Sequence, residues 1–205
     1  MSQVFSLAKE LVKLSLSGDE RDPLTNLRLQ KLLYYAQAWS LVIRESELFS
    51  DEIVAWRHGP VVPVVYRALP GGIGASAIPP DSFASVPDLE VEDAAYMKSV
   101  WEAYNPYSAL KLSRMTHEEM PWQKAWGGRP RDGHGDDPIR IEDLEDFFGK
   151  QPVPAPLESY RQDLRKKEEE ASTRVRAIPP LNADLLIAAA KGHTPAIRRF
   201  KATGG

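Results

Sequence analysis

The sequence of residues 25–45 is TNLRLQKLLYYAQAWSLVIRE, and this stretch has the clearest helical pattern in the chain. Thr25 is a suitable N-cap, because its hydroxyl can accept a hydrogen bond from a free amide of the first turn. Three large aromatic residues, Tyr34, Tyr35 and Trp39, widen the apolar sector. We therefore predict a central helix that is covered on several sides. One face combines apolar and small residues at helical spacing: Leu29, Leu32, Leu33, Ala36, Ser40 and Ile43.

Helical periodicity extends over most of the remaining chain, and one short segment has strand character. The β-branched and aromatic residues 53–56, IVAW, predict a strand. Gly59 and Pro60 predict the turn that ends it. The predicted fold class is therefore mainly α with minor β. Further helices are predicted over residues 3–16, 63–68, 88–104 (with Val91 facing inward), 109–117, 121–126, 139–148 and 157–176.

Length and composition are those of a globular protein. The chain has 205 residues, of which 42% are hydrophobic and 27% charged, and it has no cysteine. The lack of cysteine excludes disulfide frameworks, thiolate metal sites and cysteine nucleophiles. Lys9, Glu10 and Lys13 lie where a signal peptide would be apolar, and no apolar run is long enough to span a membrane. We therefore expect a cytoplasmic protein with no membrane partner.

Charge divides the chain into two parts. Residues 1–150 contain 16 basic and 23 acidic residues, whereas residues 151–205 contain 10 and 6. The segment QPVPAP at residues 151–156 predicts a stiff Pro-rich linker, because alternating prolines remove amide donors. We predict a compact helical domain over residues 1–150, followed by this linker and a basic helical extension over residues 151–205.

The end of the extension contains two short segments with helix-capping signals, beginning near Asn182 and Thr194. Helices this short need a host surface, because isolated helices below about 12–15 residues are marginal in water. We predict that their apolar and cationic residues bind a partner protein: Leu185, Leu186, Ile187, Ile197, Arg198, Arg199 and Phe200.

The sequence contains no arrangement typical of a catalytic or metal site. The histidines lack the one-turn spacing of a zinc motif, and no G-x-S-x-G motif occurs. His134, Asp136 and Asp137 leave a weak metal site open, and His58 fits either a hydrogen-bonded turn or a pocket. Thr116 and Glu119 fit a capping box. We therefore expect no catalytic residue, no metal and no cofactor, and predict that the protein is not an enzyme.

Three sequence blocks resemble the Panacea domain, the family of SocA-like antitoxins and phage GepA-like proteins. The first block is LRLQKLLYYAQ at residues 27–37, and the second is LFSDEIVAWRHGPVVPVVY at residues 48–66. The third is LSRMTHEEMPWQKA at residues 112–125, and residues 141–148 fit the family's end. The resemblance implies a mostly helical domain that neutralises a partner toxin by direct binding, with no established catalytic activity.

The family's motif residues fall at eleven positions of this chain. Some suit the fold, since Tyr34 and Trp56 offer large surfaces for burial. Whether Gln30, Lys31, His58 and His117 share a polar site is open at this stage. The motif positions are Gln30, Lys31, Tyr34, Trp56, His58, Gly59, Pro60, Tyr66, His117, Pro121 and Trp122.

Three functional classes follow. The leading hypothesis is an antitoxin that binds its cognate toxin, either occluding it or delivering it as a proteolytic adaptor to an ATP-dependent protease such as ClpXP. The second is a DNA-binding autoregulator of its own operon, since basic residues of the extension can contact phosphates. This alternative is less favoured because acidic residues 168–170 interrupt the basic run. The third is an enzyme with a pocket near His58 or His117.

Overall fold

The computed structural model describes residues 2–17, 24–70, 72, 76–130 and 132–176. Within these residues the chain forms eight helices and one two-stranded sheet, so the fold is mainly α as predicted. The elements are α1 (Gln3–Leu16), α2 (Asn26–Ile43), β1 (Val54–Trp56), β2 (Gly59–Val61), α3 (Pro63–Ala68), α4 (Val91–Tyr104), α5 (Ala109–Glu118), α6 (Met120–Trp126), α7 (Ile141–Phe148) and α8 (Ala155–Arg176).

Helix α2 is the centre of the molecule. It begins after Thr25, whose side chain accepts a hydrogen bond from the Arg28 amide at 3.3 Å. Of its 18 residues, 16 are buried, because α1, α4, α5, α7 and strand β2 all pack against it. The prediction of a capped helix covered on several sides is confirmed.

Helix α4 packs against α1 and α2, but it begins later than residue 88. Its first residue, Val91, is 86% exposed, so the prediction that Val91 faces inward was wrong. Val91 and the fully buried Val100 are nine residues apart, which is two and a half helical turns. They therefore point to opposite sides of the helix.

The sheet is a short antiparallel hairpin in which Ala55 pairs with Pro60. Arg57 and His58 form the turn, so the prediction that Gly59 and Pro60 make the turn was wrong. A proline fits here because the sheet has only two strands, and no third strand needs its missing amide.

The two parts of the chain that form compact units are Met1–Asp163 and Leu164–Gly205. In the first unit, Leu157 of α8 is fully buried. Helix α8 begins at Ala155 and includes Pro156, which the sequence assigned to a linker; proline is tolerated in a first helical turn. In the second unit, the structure describes the continuation of α8 to Arg176. The domain boundary at residue 150 stays a prediction.

None of the helices in the described ranges has both the length and the apolarity that a membrane crossing requires.

Candidate functional site

Four motif side chains converge on the main chain of the β1–β2 hairpin: Gln30, Lys31, His117 and Trp122. From α2, the Gln30 Oε1 atom accepts a hydrogen bond from the Val62 amide at 2.8 Å. One residue further along α2, the Lys31 Nζ atom donates to the Pro60 carbonyl oxygen at 2.8 Å. Both side chains are buried, so these hydrogen bonds satisfy hairpin groups that water does not reach.

Helix α5 holds the turn of the same hairpin. Ser113 Oγ donates to the His58 carbonyl oxygen at 3.0 Å. The His117 ring lies one helical turn further on, with Nε2 3.0 Å from the Arg57 carbonyl oxygen and Nδ1 facing the carbonyl oxygen of Ser113. The turn is therefore held through its carbonyl groups, which leaves the side chains of Arg57 and His58 exposed.

Helix α6 supplies one further side-chain contact with the hairpin main chain. Trp122 Nε1 donates to the Trp56 carbonyl oxygen at 3.1 Å, and its ring packs edge-on against His117 with centroids 4.3 Å apart. We call the five side chains that hold the hairpin the hairpin clamp: Gln30, Lys31, Ser113, His117 and Trp122. Sequence reasoning did not single out Ser113; its position four residues before His117, on the same helix face, is the signal that points to it.

Gly59 brings the hairpin against α2 and α5. Its φ is +97°, and a Cβ atom at this position would lie 2.7 Å from Thr116 Oγ1 and 2.9 Å from Lys31 Nζ. The close approach therefore requires glycine. Thr116 itself lies inside α5, where its hydroxyl donates to the Ser113 carbonyl oxygen at 2.9 Å. The predicted capping box was wrong, because Glu119 accepts a hydrogen bond from the Tyr35 hydroxyl instead, at 2.8 Å.

The Lys31 amine is fully buried, and this burial lowers its pKa well below the usual value. A low pKa is typical of a nucleophilic lysine. Here, however, the amine is closed off by Gly59, Thr116 and the Pro60 carbonyl oxygen that it binds. We infer that its role is to hold the hairpin.

On the outer side of the hairpin lies a cleft of about 530 Å³. The Trp56 and Tyr66 rings meet edge to face at 4.8 Å, and Trp56 Nε1 donates to Asp136 Oδ1 at 2.8 Å. The loop that closes the cleft is tied to β1, since the Ala55 amide donates to the Asp137 carbonyl oxygen at 2.9 Å. We call this the hairpin cleft; it is lined by Trp56, Arg57, His58, Tyr66, Gly133, His134, Gly135 and Asp136.

The hairpin cleft combines aromatic rings with charged and titratable groups. Partial burial lowers the pKa of His58, and its neighbours Arg57, Lys31 and His117 lower it further. At neutral pH the turn therefore presents the Arg57 cation beside a neutral imidazole. Such an aromatic surface with an arginine is typical of protein-binding sites.

Within the ranges that the structure describes, no three histidine or acidic side chains lie close enough to hold a metal ion. This includes His134, Asp136 and Asp137, which the sequence left open as a weak site.

The other predicted residues have different positions. Tyr34 lies in the core, where its ring packs edge-on against Tyr35 at 5.3 Å and Phe148 at 5.9 Å. Pro121 is buried in the first turn of α6. The predicted partner-binding residues lie outside the described residues: Leu185, Leu186, Ile187, Ile197, Arg198, Arg199 and Phe200.

Comparison with known proteins matches the part of the chain that contains this arrangement to a family model. Residues 29–123 match the family model described as "Antitoxin SocA-like, Panacea domain", and this range contains the whole hairpin clamp. The chain is also similar to Antitoxin SocA of Caulobacter vibrioides (strain NA1000 / CB15N), with 51% identity over 45 residues. That match covers 22% of this chain and 24% of the relative, so it spans about a quarter of the relative's length. No solved structure matches the chain. Residues 29–123 thus match a SocA-like Panacea domain, as the three sequence blocks predicted.

Proposed function

We propose that this protein is an antitoxin that neutralises a cognate toxin by binding it directly. The observation that carries the proposal is the match of residues 29–123 to the SocA-like antitoxin domain. The hairpin clamp supports a binding role over a catalytic one. Lys31 and His117, the motif residues best suited to catalysis, have their nitrogen atoms directed at main-chain carbonyl groups.

We assign part of the toxin-binding surface to the hairpin cleft. A hairpin held by five side chains presents Arg57 and His58 in a fixed geometry, which reduces the entropy lost on binding. Trp56 and Tyr66 offer an aromatic surface beside them, and tryptophan, tyrosine and arginine are the residues enriched at binding hot spots. The apolar and cationic residues near the C-terminus, from Leu185 to Phe200, are a second proposed contact.

The test is co-expression of the full chain with the product of the adjacent gene, followed by affinity measurement and growth assays. We expect a stable complex and restored growth. The double substitution R57A/H58A should weaken binding at least tenfold without changing the melting temperature, because both side chains are exposed. Lys98→Ala is the matched control, since that side chain is 66% exposed on α4. Absence of a complex with the unchanged protein would refute direct neutralisation.

The antitoxin can neutralise the toxin by occluding it or by delivering it to a protease, and the two mechanisms predict different half-lives of the toxin. If the protein is an adaptor for an ATP-dependent protease such as ClpXP, the half-life of the toxin should shorten when the antitoxin is co-expressed and lengthen again in a protease-deficient host. If it occludes the toxin, the half-life should stay constant while growth is restored.

A further inference from the structure

The exposed lysines and arginines of the Met1–Asp163 unit fall into two groups. Those of the first group form ion pairs with carboxylates of the same unit: Lys13, Lys98, Lys124, Arg140 and Lys150. Those of the second group have no carboxylate partner among the described residues, and we call them the unpaired cations: Arg57, Arg67, Lys111 and Arg114. Acidic residues outnumber basic ones over residues 1–150, so the lack of partners at these four positions is unusual.

The hairpin clamp brings two of the unpaired cations to the same face of the molecule. Arg57 lies in the hairpin turn, which α5 holds through Ser113 and His117, each with a contact of 3.0 Å to a carbonyl oxygen of the turn. Arg114 follows Ser113 directly and precedes His117 by three residues, so it lies on the side of α5 that faces the turn. Both arginine side chains are exposed. The clamp therefore fixes an exposed arginine of α5 near the exposed arginine of the turn.

The other two unpaired cations adjoin the same elements. Arg67 follows Tyr66 of the hairpin cleft along α3. Lys111 precedes Arg114 by three residues, about one turn of α5. Beside it, the apolar side chain of Leu110 is 60% exposed. Exposed positive charge is thus combined with apolar and aromatic surface on the hairpin turn, α3 and α5.

The acidic residues at the hairpin cleft do not neutralise Arg57. Asp136 lines the cleft, but its Oδ1 atom accepts a hydrogen bond from Trp56 Nε1 at 2.8 Å. The next residue, Asp137, forms its ion pair with Arg129. The carboxylates of this loop are therefore bound elsewhere, and Arg57 has capacity to bind a carboxylate from outside the described part of the chain.

We propose that the unpaired cations and the hairpin cleft bind an acidic segment of a protein partner. Carboxylates of this segment pair with Arg57 and Arg114, and an apolar side chain packs on the Trp56 and Tyr66 rings. Charge complementarity carries the inference, because carboxylates are the partners that these cations lack. A guanidinium suits this role, since it binds a carboxylate through two parallel hydrogen bonds. The inference rests on the proposed function only for the identity of the partner, which would be the toxin.

The first experiment uses the full chain and a defined probe, an acetylated and amidated peptide of sequence Glu-Glu-Leu-Glu-Glu. Trp56 lines the cleft, so its ¹⁵N-labelled indole group reports binding by NMR, and the buried indole of Trp39 is the reference. We expect a saturable shift of the Trp56 signal with a millimolar dissociation constant. The peptide Gln-Gln-Leu-Gln-Gln, which has nearly the same shape without the charge, should produce no such shift. Equal shifts for the two peptides, or no saturable shift with the acidic one, would overturn the proposal without need of any variant.

Nucleic acid supplies the other common anion, phosphate, and a second probe separates the two. Acidic residues outnumber basic ones over residues 1–150, so a phosphate backbone that extends beyond the four cations meets net negative charge. A short acidic protein segment needs only the cations of this one face. Hexathymidylate should therefore shift the Trp56 signal less than the acidic peptide does at the same concentration. Equal or tighter binding of hexathymidylate would overturn the proposal in favour of a nucleic-acid surface.

Two substitutions locate the interaction. Arg57→Gln and Arg114→Gln each remove an exposed cation that has no carboxylate partner in the described part of the chain, so the melting temperature should not change. Together they should weaken binding of the acidic peptide about tenfold, because an exposed ion pair contributes about threefold to affinity. Lys98→Gln is the matched control, since Lys98 is exposed on α4, pairs with Glu102 and should change the affinity by less than twofold. An unchanged affinity in the folded double variant would also overturn the proposal.

The toxin complex separates this inference from the proposed function, because Arg114 does not line the hairpin cleft. If the toxin binds the unchanged protein and the Arg114→Gln variant equally well, and the acidic peptide gives no shift, the inference fails and the antitoxin function stands. If no toxin complex forms but the acidic peptide binds as expected, the inference stands and the proposed function fails. If Arg114→Gln weakens the toxin complex more than Lys98→Gln does, the inference is supported.

Discussion

Gly59 occupies the point where the hairpin, α2 and α5 come closest together. Glycine is needed there for two separate reasons, a positive φ and a lack of space for Cβ. Gly128 shares the first feature, with φ +71°, but has no atom within 4 Å of the Cβ position. Comparing substitutions at Gly59 and Gly128 therefore distinguishes the cost of backbone strain from the cost of steric overlap.

We expect Gly128→Ala to reduce the free energy of unfolding by about 1 kcal/mol, from backbone strain alone. Gly59→Ala adds overlap with Thr116 and Lys31, so its loss should be about 2–4 kcal/mol. Urea unfolding followed by circular dichroism measures both. Equal losses at the two positions would show that the hairpin can move away from α2.

The hairpin is the element whose stability depends most on its surroundings. A two-stranded hairpin is marginally stable by itself in water. Here each strand has three residues, and side chains from α2, α5 and α6 bind its main chain. The hairpin should therefore open locally when the clamp is weakened, while α2 stays folded.

His117→Phe tests whether the hairpin depends on the clamp. Phenylalanine keeps a ring beside Trp122, but it removes the contacts of the two ring nitrogens with the Ser113 and Arg57 carbonyl oxygens. Losing an ordinary hydrogen bond costs about 0.5–1.5 kcal/mol, so amide exchange of residues 56–59, 61 and 62 should accelerate by roughly three- to tenfold. Exchange in the middle of α2 should not change. Ser159→Ala, an exposed site on α8, is the control, and uniform acceleration across the chain would contradict a local effect.

At the scale of the whole molecule, the first turns of α8 are part of the core of the first compact unit. Leu157 is fully buried, and the Tyr160 ring lies 5.3 Å from the Tyr96 ring. The charge distribution and the Pro-rich segment of the sequence instead predict a domain boundary at residue 150. The boundary after Asp163 keeps Leu157 and Tyr160 with the helical domain, whereas the boundary at residue 150 removes both.

Truncation after residue 150 should therefore destabilise the helical domain, whereas truncation after residue 163 should not. We expect a difference of about 3 kcal/mol, which is typical of losing one buried leucine, measured by urea unfolding of the two fragments. Leu157→Ala in the full chain should reproduce most of the loss. Equal stability of the two fragments would favour the boundary at residue 150.

The sequence by itself determined where most of the helices lie and how α2 begins, because both depend on local patterns. Thr25 caps α2 as predicted, and Ser108 caps α5 in the same way, because capping depends on residues within one turn. The motif blocks predicted the SocA-like domain that the comparison finds at residues 29–123. The helical periodicity gave a wrong prediction at the end of an element. Val91 was predicted to face inward, but it is the first residue of α4 and is exposed.

Only the tertiary structure decided what the motif residues do. Trp122 and the Trp56 carbonyl oxygen are 66 residues apart, and Tyr35 and Glu119 are 84 apart. Local periodicity contains no information about such pairs, so Glu119 fitted a capping box by spacing while its carboxylate accepts a hydrogen bond from Tyr35. Contacts of this range form when the helices pack around α2, and that packing created the hairpin cleft.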